Sequence, residues 1–252
     1  MDVVSVDLDN EDLDSSFEEI SLLYPSDSLN QIHIKQADLD RLEPEEFLND
    51  TIVDFALRFY IDTLGNQKFY AFNSFFYKAL SQNGYAKVMS WNSKINIFEK
   101  DYLLIPIFGE EHWSLAVVCY PLHLFFARSP QPALLYFDSL GLSNAQVKCL
   151  IVEFLLCEWS SKLGCVPELV QDLGLFFPKV PKQDNCSDCG VFLIEYSKFF
   201  IENPHYFDQV EGQVKDCPEM FSQETIENSR QVLKSKILNI WFFGTVEEGF
   251  VT

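Results

Sequence analysis

"KQDNCSDCGVFLIEY" (Lys182–Tyr196) places two cysteines, Cys186 and Cys189, in a C-x-x-C pair ahead of a segment that is apolar nearly all round. The run "VFLIEYSKFF" (191–200) predicts a short buried helix, since a helix at the surface would carry a polar stripe along one face. Cys189 then stands at the N-terminus of that helix. Unpaired backbone N–H groups and the positive end of the helix dipole favour a thiolate in such a place. Thioredoxin-type pairs use the same device, so position alone leaves three readings open: a thiol–disulfide protein, a metal-binding module and a cysteine hydrolase.

A zinc site needs two more Cys or His ligands at workable spacing, and none of the other cysteines (119, 149, 157, 165, 217) forms a second close pair, so no metal is expected. A hydrolase needs a base and a group that orients it. Of the four histidines, His33 and His205 lie in polar surroundings and His123 in the loop "YPLHLFFARSP"; only His112 opens a strongly apolar strand, directly after a turn. The carboxylate Asp138 ends the next strand in "LLYFDSLG", so two adjacent strands can bring His112 and Asp138 together at one margin of a sheet. An aspartate there is also an ordinary turn former, and a lone histidine is more often structural. Gln183, six residues before Cys189, has an amide that can donate to a developing oxyanion beside the Cys189 backbone N–H.

Around this constellation the chain reads as one domain. "DYLLIPIFG" (101–109), "HWSLAVVCY" (112–120) and "ALLYFDSLG" (133–141) are strands, the first two joined through Gly109-Glu110-Glu111. Helical spacing runs from Asn49 or Asp50 through Ile52, Phe55, Ala56, Phe59 and Leu64; from Asn144 to a stop at Gly164; and from about Ser222 to Trp241 ahead of Gly244. Helices and strands mix without a regular βαβ alternation, which favours α+β. In 252 residues, 48% apolar and with 24 phenylalanines, there is material for a sizeable core. Residues 1–29 hold nine acidic residues and no Lys or Arg, so 1–29 reads as an acidic flexible tail, 30–245 as the folded domain and 246–252 as a C-terminal tail.

A net charge of −20, from 18 Lys and Arg against 38 Asp and Glu, repels phosphate backbones and anionic membranes, so neither nucleic acid nor a membrane is an expected partner; a basic protein surface is. The acidic N-terminus lacks the basic region of a secretory signal, and no uncharged apolar run nears the roughly 18 residues of a membrane span. Seven irregularly placed cysteines fit free thiols in a reducing, intracellular compartment.

"HW" at 112–113, "YFDSL" at 136–140 and "QDNCSDCG" at 183–190 resemble, in order and approximate spacing, the His…Asp…Gln…Cys arrangement of the ubiquitin-like-protein-specific (Ulp/SENP, SUMO protease) cysteine peptidases. "EFLNDTIVDFALRFY" (46–60) is similar to that family's L-N-D helix, and residues 72–107 to its aromatic segment before the catalytic histidine. The likeness covers roughly 30–240. It implies a papain-like α+β fold, a central mixed β-sheet flanked by helices, and cleavage after the C-terminal diglycine of a ubiquitin-like modifier without a cofactor. Cys189 would be the nucleophile, His112 the general base and acid, Asp138 its orienter and Gln183 an oxyanion donor.

The resemblance also implies that Phe47 and Trp113 form a flat tunnel that admits only glycines, that Asp50 pairs with a basic residue of the modifier and that Phe75 packs on its surface. Phe47 replaces the family's more usual Trp, which with "SDCG" looks more like the Ulp2-type branch that trims SUMO chains. "VVSVDLDNED" (3–12) resembles a SUMO-interacting motif, with Val3, Val4 and Val6 forming a short strand added to the modifier's sheet and the acids meeting its basic residues. SUMO and its conjugates are thus the implied partners, with another modifier such as Nedd8, or an idle SUMO-binding module, as alternatives. A monomer is expected, and a nuclear or nucleocytoplasmic location is expected by resemblance, although the chain has no basic import cluster. Cys186 remains a spare thiol near the nucleophile, a candidate for a reversible disulfide that shields it.

Overall fold

The structure, a computed structural model, describes residues 20–26, 31–91, 93–165 and 167–244. Val3, Val4 and Val6 lie outside the described residues.

The first element departs from expectation. Strand β1 (Ser21–Tyr24) pairs antiparallel with β2 (Ile32–Lys35), and Leu22 and Tyr24 are buried in the main core. The tail expected up to residue 29 is therefore too long: Ile20, Leu22 and Tyr24 alternate inward on a strand that the acidic run beside it concealed. A short helix α1 (Gln36–Leu39) and a 3₁₀ turn (Asp40–Leu42) lead to α2 (Asp50–Thr63). Asn49, rather than Asp50, caps α2: its side chain accepts the Ile52 N–H at 3.1 Å.

A five-stranded mixed sheet follows, built from β3 (Phe69–Ala71), β4 (Tyr102–Gly109), β5 (His112–Cys119), β6 (Ala133–Phe137) and β7 (Gly174–Phe176) in the spatial order β3-β4-β5-β6-β7. The outer pairs are parallel and the inner ones antiparallel. Its central strands are apolar without alternation because both faces are covered. Tyr102, Leu104, Leu115, Val117, Leu135 and Phe137 face one core, while Leu103, Ile105, Ala116, Val118 and Leu134 face the other. Helices α3 (Phe75–Asn83), α4 (Tyr85–Val88) and α5 (Gln146–Leu163) close the second core. Helix α5 stops, as the glycine predicts, at left-handed Gly164.

The first core is closed by α2, α6 (Cys189–Glu202) and α7 (Gln223–Phe243), the last capped by Ser222 and ended by Gly244. Helix α6 packs on β5 between α2 and α7, and Val191, Leu193, Ile194, Tyr196 and Phe200 are all buried. Burial of each large apolar side chain contributes roughly 1.5–3 kcal/mol, whereas an anion at a helix N-terminus gains about 0.3–1 kcal/mol. The core, not the chemistry at its end, therefore fixes where Cys189 sits.

Candidate active site

Three elements converge at one end of the sheet. Glu110 and Glu111, both at positive φ (52° and 59°), make the two-residue turn of the β4–β5 hairpin, with Gly109 opposite His112. His112 thus begins β5, and Asp138 follows immediately on the antiparallel neighbour β6. The His112 Nε2 lies 2.9 Å from Asp138 Oδ2, as the strand reading expects. With Nε2 engaged, Nδ1 is the ring nitrogen left for the Cys189 thiol, which lies within hydrogen-bonding reach of the imidazole from the start of α6.

The charges of this trio support one another. Asp138 is 4% exposed, and burial pushes its carboxyl up; the His112 hydrogen bond and the backbone N–H groups of Leu142 and Leu140 outweigh that and hold it below the usual range. His112 is pushed up to about 9, first by its hydrogen bond to Asp138, then by that to Cys189, against the opposing effect of burial. Both neighbours therefore favour the protonated imidazole, with the Asp138 carboxylate on one side and the Cys189 sulfur on the other.

Gln183 is anchored on both sides of its amide: Oε1 accepts from Ser139 Oγ at 2.5 Å and Nε2 donates to the Asn185 carbonyl at 2.7 Å. One N–H of the amide remains for another acceptor. The Cys189 N–H belongs to the first turn of α6, where backbone donors have no partner within the helix. Asn185 also folds the loop itself. Its Oδ1 accepts the N–H groups of Ser187 (3.1 Å) and Asp188 (3.0 Å), and its Nδ2 donates to the Asp188 carboxylate. Cys186 is exposed on this loop and Cys189 is buried; both are free thiols.

Of the residues assigned to substrate, Phe47 is 47% exposed just ahead of α2, whereas Trp113 is 2% exposed and its Nε1 donates to the Leu48 carbonyl at 3.0 Å. The indole thus braces the segment that carries Phe47. Gly190 lies against the same segment: a Cβ there would stand 2.9 Å from Leu48 Cβ, so only glycine lets α6 start this close. Asp50 and Phe75, the latter 54% exposed, share a second place, a groove of about 1040 Å³ between α2 and α3 that also takes in Asp54, Arg58 and Tyr70. Asp54 holds the start of α3 through the Ser74 N–H (2.7 Å) and hydroxyl (3.2 Å), and burial raises its carboxyl to about 7.

Sequence reasoning missed Asn185, Ser139 and Leu48. The first had a local signal, an Asn followed two and three residues later by Ser and Asp. The others act through the fold. Among the described residues no group of three or more His, Cys, Asp or Glu side chains is gathered as a metal ion requires, and no helix is long and apolar enough to cross a membrane.

A mixed sheet whose adjoining strands present a histidine and a carboxylate to a cysteine at the head of a buried helix defines the papain-like cysteine-peptidase class. Within that class the chain belongs to the Ulp1 protease family: residues 46–237 match the model of its C-terminal catalytic domain. Curated relatives include the probable ubiquitin-like-specific protease 2B of Arabidopsis thaliana, 30% identical over 75% of this chain and 23% of that protein. Ubiquitin-like-specific protease 2 of Schizosaccharomyces pombe is 32% identical over 73% and 35%, and human sentrin-specific protease 7 is 26% identical over 86% and 27%. The chain thus spans between 23% and 35% of these relatives' length. Among solved structures, a de-sumoylating protease superposes with a TM-score of 0.70 at 25% identity, covering 86% of this chain and 90% of the other. The C-terminal Ulp1 protease domain, solved in complex with the yeast SUMO orthologue Smt3, superposes with a TM-score of 0.67 at 24% identity, covering 89% and 90%.

Proposed function

We propose that this domain is a cysteine isopeptidase that cleaves after the C-terminal diglycine of SUMO and so releases SUMO from conjugated proteins. The observation that carries the reading is the alignment of Cys189, His112 and Asp138, with the His112–Asp138 bond at 2.9 Å. The Cys189 sulfur attacks the terminal glycine carbonyl, and the oxyanion is received by the Cys189 N–H and the remaining N–H of Gln183. His112, holding the proton that the Cys189 sulfur has given up, passes it to the departing lysine amine as the C–N bond breaks and a thioester forms. A water then attacks the thioester, His112 takes its proton, and the C–S bond breaks to release the carboxylic acid and restore the starting pair of Cys189 sulfur and protonated His112. Every step uses this chain's own groups and needs no cofactor.

Recognition divides between two places. Phe47 and Trp113 screen the tail, since two rings can let glycine backbone pass where a Cβ would collide. In the groove, Asp50 meets a basic residue of the modifier while Phe75 packs on its surface. Support for SUMO rather than another modifier comes from a relative named as a sentrin-specific protease and from the likeness to a de-sumoylating protease. Chain trimming, action in the nucleus and action as a monomer belong to the same proposal.

The test offers SUMO and Nedd8, each with a fluorogenic C-terminal amide, to wild type, Cys189→Ser and Cys186→Ser. Release from SUMO by wild type and Cys186→Ser, with Cys189→Ser inert, is the expected result. Undiminished cleavage by Cys189→Ser sinks the mechanism, and faster turnover of Nedd8 sinks the choice of modifier.

A further inference from the structure

Arg230, in the middle of α7, is 9% exposed and reaches across to two loops that are far apart in sequence. Its Nη2 and Nε donate to one oxygen of the Asp188 carboxylate at 2.6 and 3.2 Å, and Nη2 also reaches the Ser187 carbonyl at 3.3 Å. Nη1 turns the other way and donates to the carbonyls of Arg41 and Glu43 at 3.1 and 3.2 Å. The first pair lies directly before the nucleophile, and the second opens the segment that runs to Phe47 and Leu48. One turn further along α7, Lys234 holds the Glu43 carboxylate at 2.5 Å. Among the described residues the backbones of the two segments exchange no hydrogen bond. Apart from the fork, they meet through the close approach of Leu48 to Gly190.

From this bridging we infer that Arg230 is a positioning residue that sets the distance between the Cys189 thiol and the Phe47–Trp113 passage, so that a threaded diglycine arrives with its carbonyl over the sulfur. The inference rests on the proposed function for what passes between the rings, but the bridge itself does not. A guanidinium suits the task because it is planar and carries five donors in a fixed fork; a lysine ammonium satisfies the Asp188 charge as a point and cannot span both loops. Two acceptors on each side also explain why a buried arginine is stable here, since every charged donor group has an oxygen to meet.

The experiment compares wild type with Arg230→Lys, and with Asp188→Asn as a second and milder release of the same grip. Three quantities are read: amide hydrogen exchange across 42–48 and 184–189, kcat and KM on SUMO with a fluorogenic C-terminal amide, and the rate at which iodoacetamide alkylates Cys189, followed by mass spectrometry of its peptide. In Arg230→Lys both segments should exchange faster together. A small displacement of reacting atoms costs heavily, so kcat should fall about tenfold or more, with KM within about threefold because the groove at Asp50 and Phe75 is intact. Alkylation, which needs no threaded tail, should stay within about twofold of wild type. Unchanged exchange in either segment overturns the bridge. A fall in kcat matched by an equal fall in alkylation, or by a general loss of thermal stability, overturns the positioning role. A wild type that cleaves no modifier would sink the proposed function alone, since exchange is read without substrate.

Discussion

At the scale of single residues the site depends on a proton held where solution chemistry would release it. Because the Asp138 hydrogen bond is the largest of the effects that raise His112 to about 9, the imidazolium persists through neutral pH and the alkaline limb of activity should fall near 9. Asp138→Ala removes that effect, so the limb should move down toward the ordinary imidazole value of about 6.5. The turnover should drop by roughly 10²–10⁴-fold as proton transfer loses its oriented partner; the pH profile of kcat/KM checks both. The same shift has a stability side. A raised histidine stabilises the fold fully below the unfolded imidazole value and loses that contribution as pH rises through about 9. His112, Asp138 and Cys189 were legible because each stands at the boundary of a segment with a clear apolar pattern. Arg230 was not, since its acceptors lie 42 and 187–189 residues away and no local pattern marks it.

At the scale of elements, the long strands β4, β5 and β6 announce themselves as unbroken apolar runs, as do the capped helices α2 and α7. Strands β3 and β7 have three residues each, too few to show alternation, and they form only because β4 and β6 supply backbone partners. The Glu110–Glu111 turn was visible as a turn, but not its strain. Two L-residues at positive φ, both carrying negative charge, occupy a hairpin geometry that prefers Asn-Gly. Replacing them, Glu110→Asn with Glu111→Gly, should raise the free energy of unfolding by about 1–2 kcal/mol, since each non-glycine residue in that region costs of that order. Denaturant titration checks the gain. A turn of unchanged length keeps Gly109 opposite His112 and so preserves the register of the site.

At the scale of the whole molecule, two aromatic-rich cores pack against the two faces of one sheet, and the site sits at the end of the strands they hold in place. The acidic residues 1–12, outside the described residues, are proposed as a second means of holding the modifier. If Val3, Val4 and Val6 tether it, deleting residues 1–12 should lower cleavage of SUMO chains several-fold while leaving single fluorogenic SUMO unchanged, as an effective-concentration effect requires. Equal losses on both substrates, or none, count against the tether. The outermost strands carry a different consequence. With β3 and β7 only three residues long, the five-stranded sheet gives a loose polypeptide almost no rail to lie along, and the β1–β2 ribbon adds only four-residue strands. Among the described residues, these strands offer an unfolded chain little backbone to pair with. That economy of edges fits the proposed substrate, a folded body that carries a slender tail.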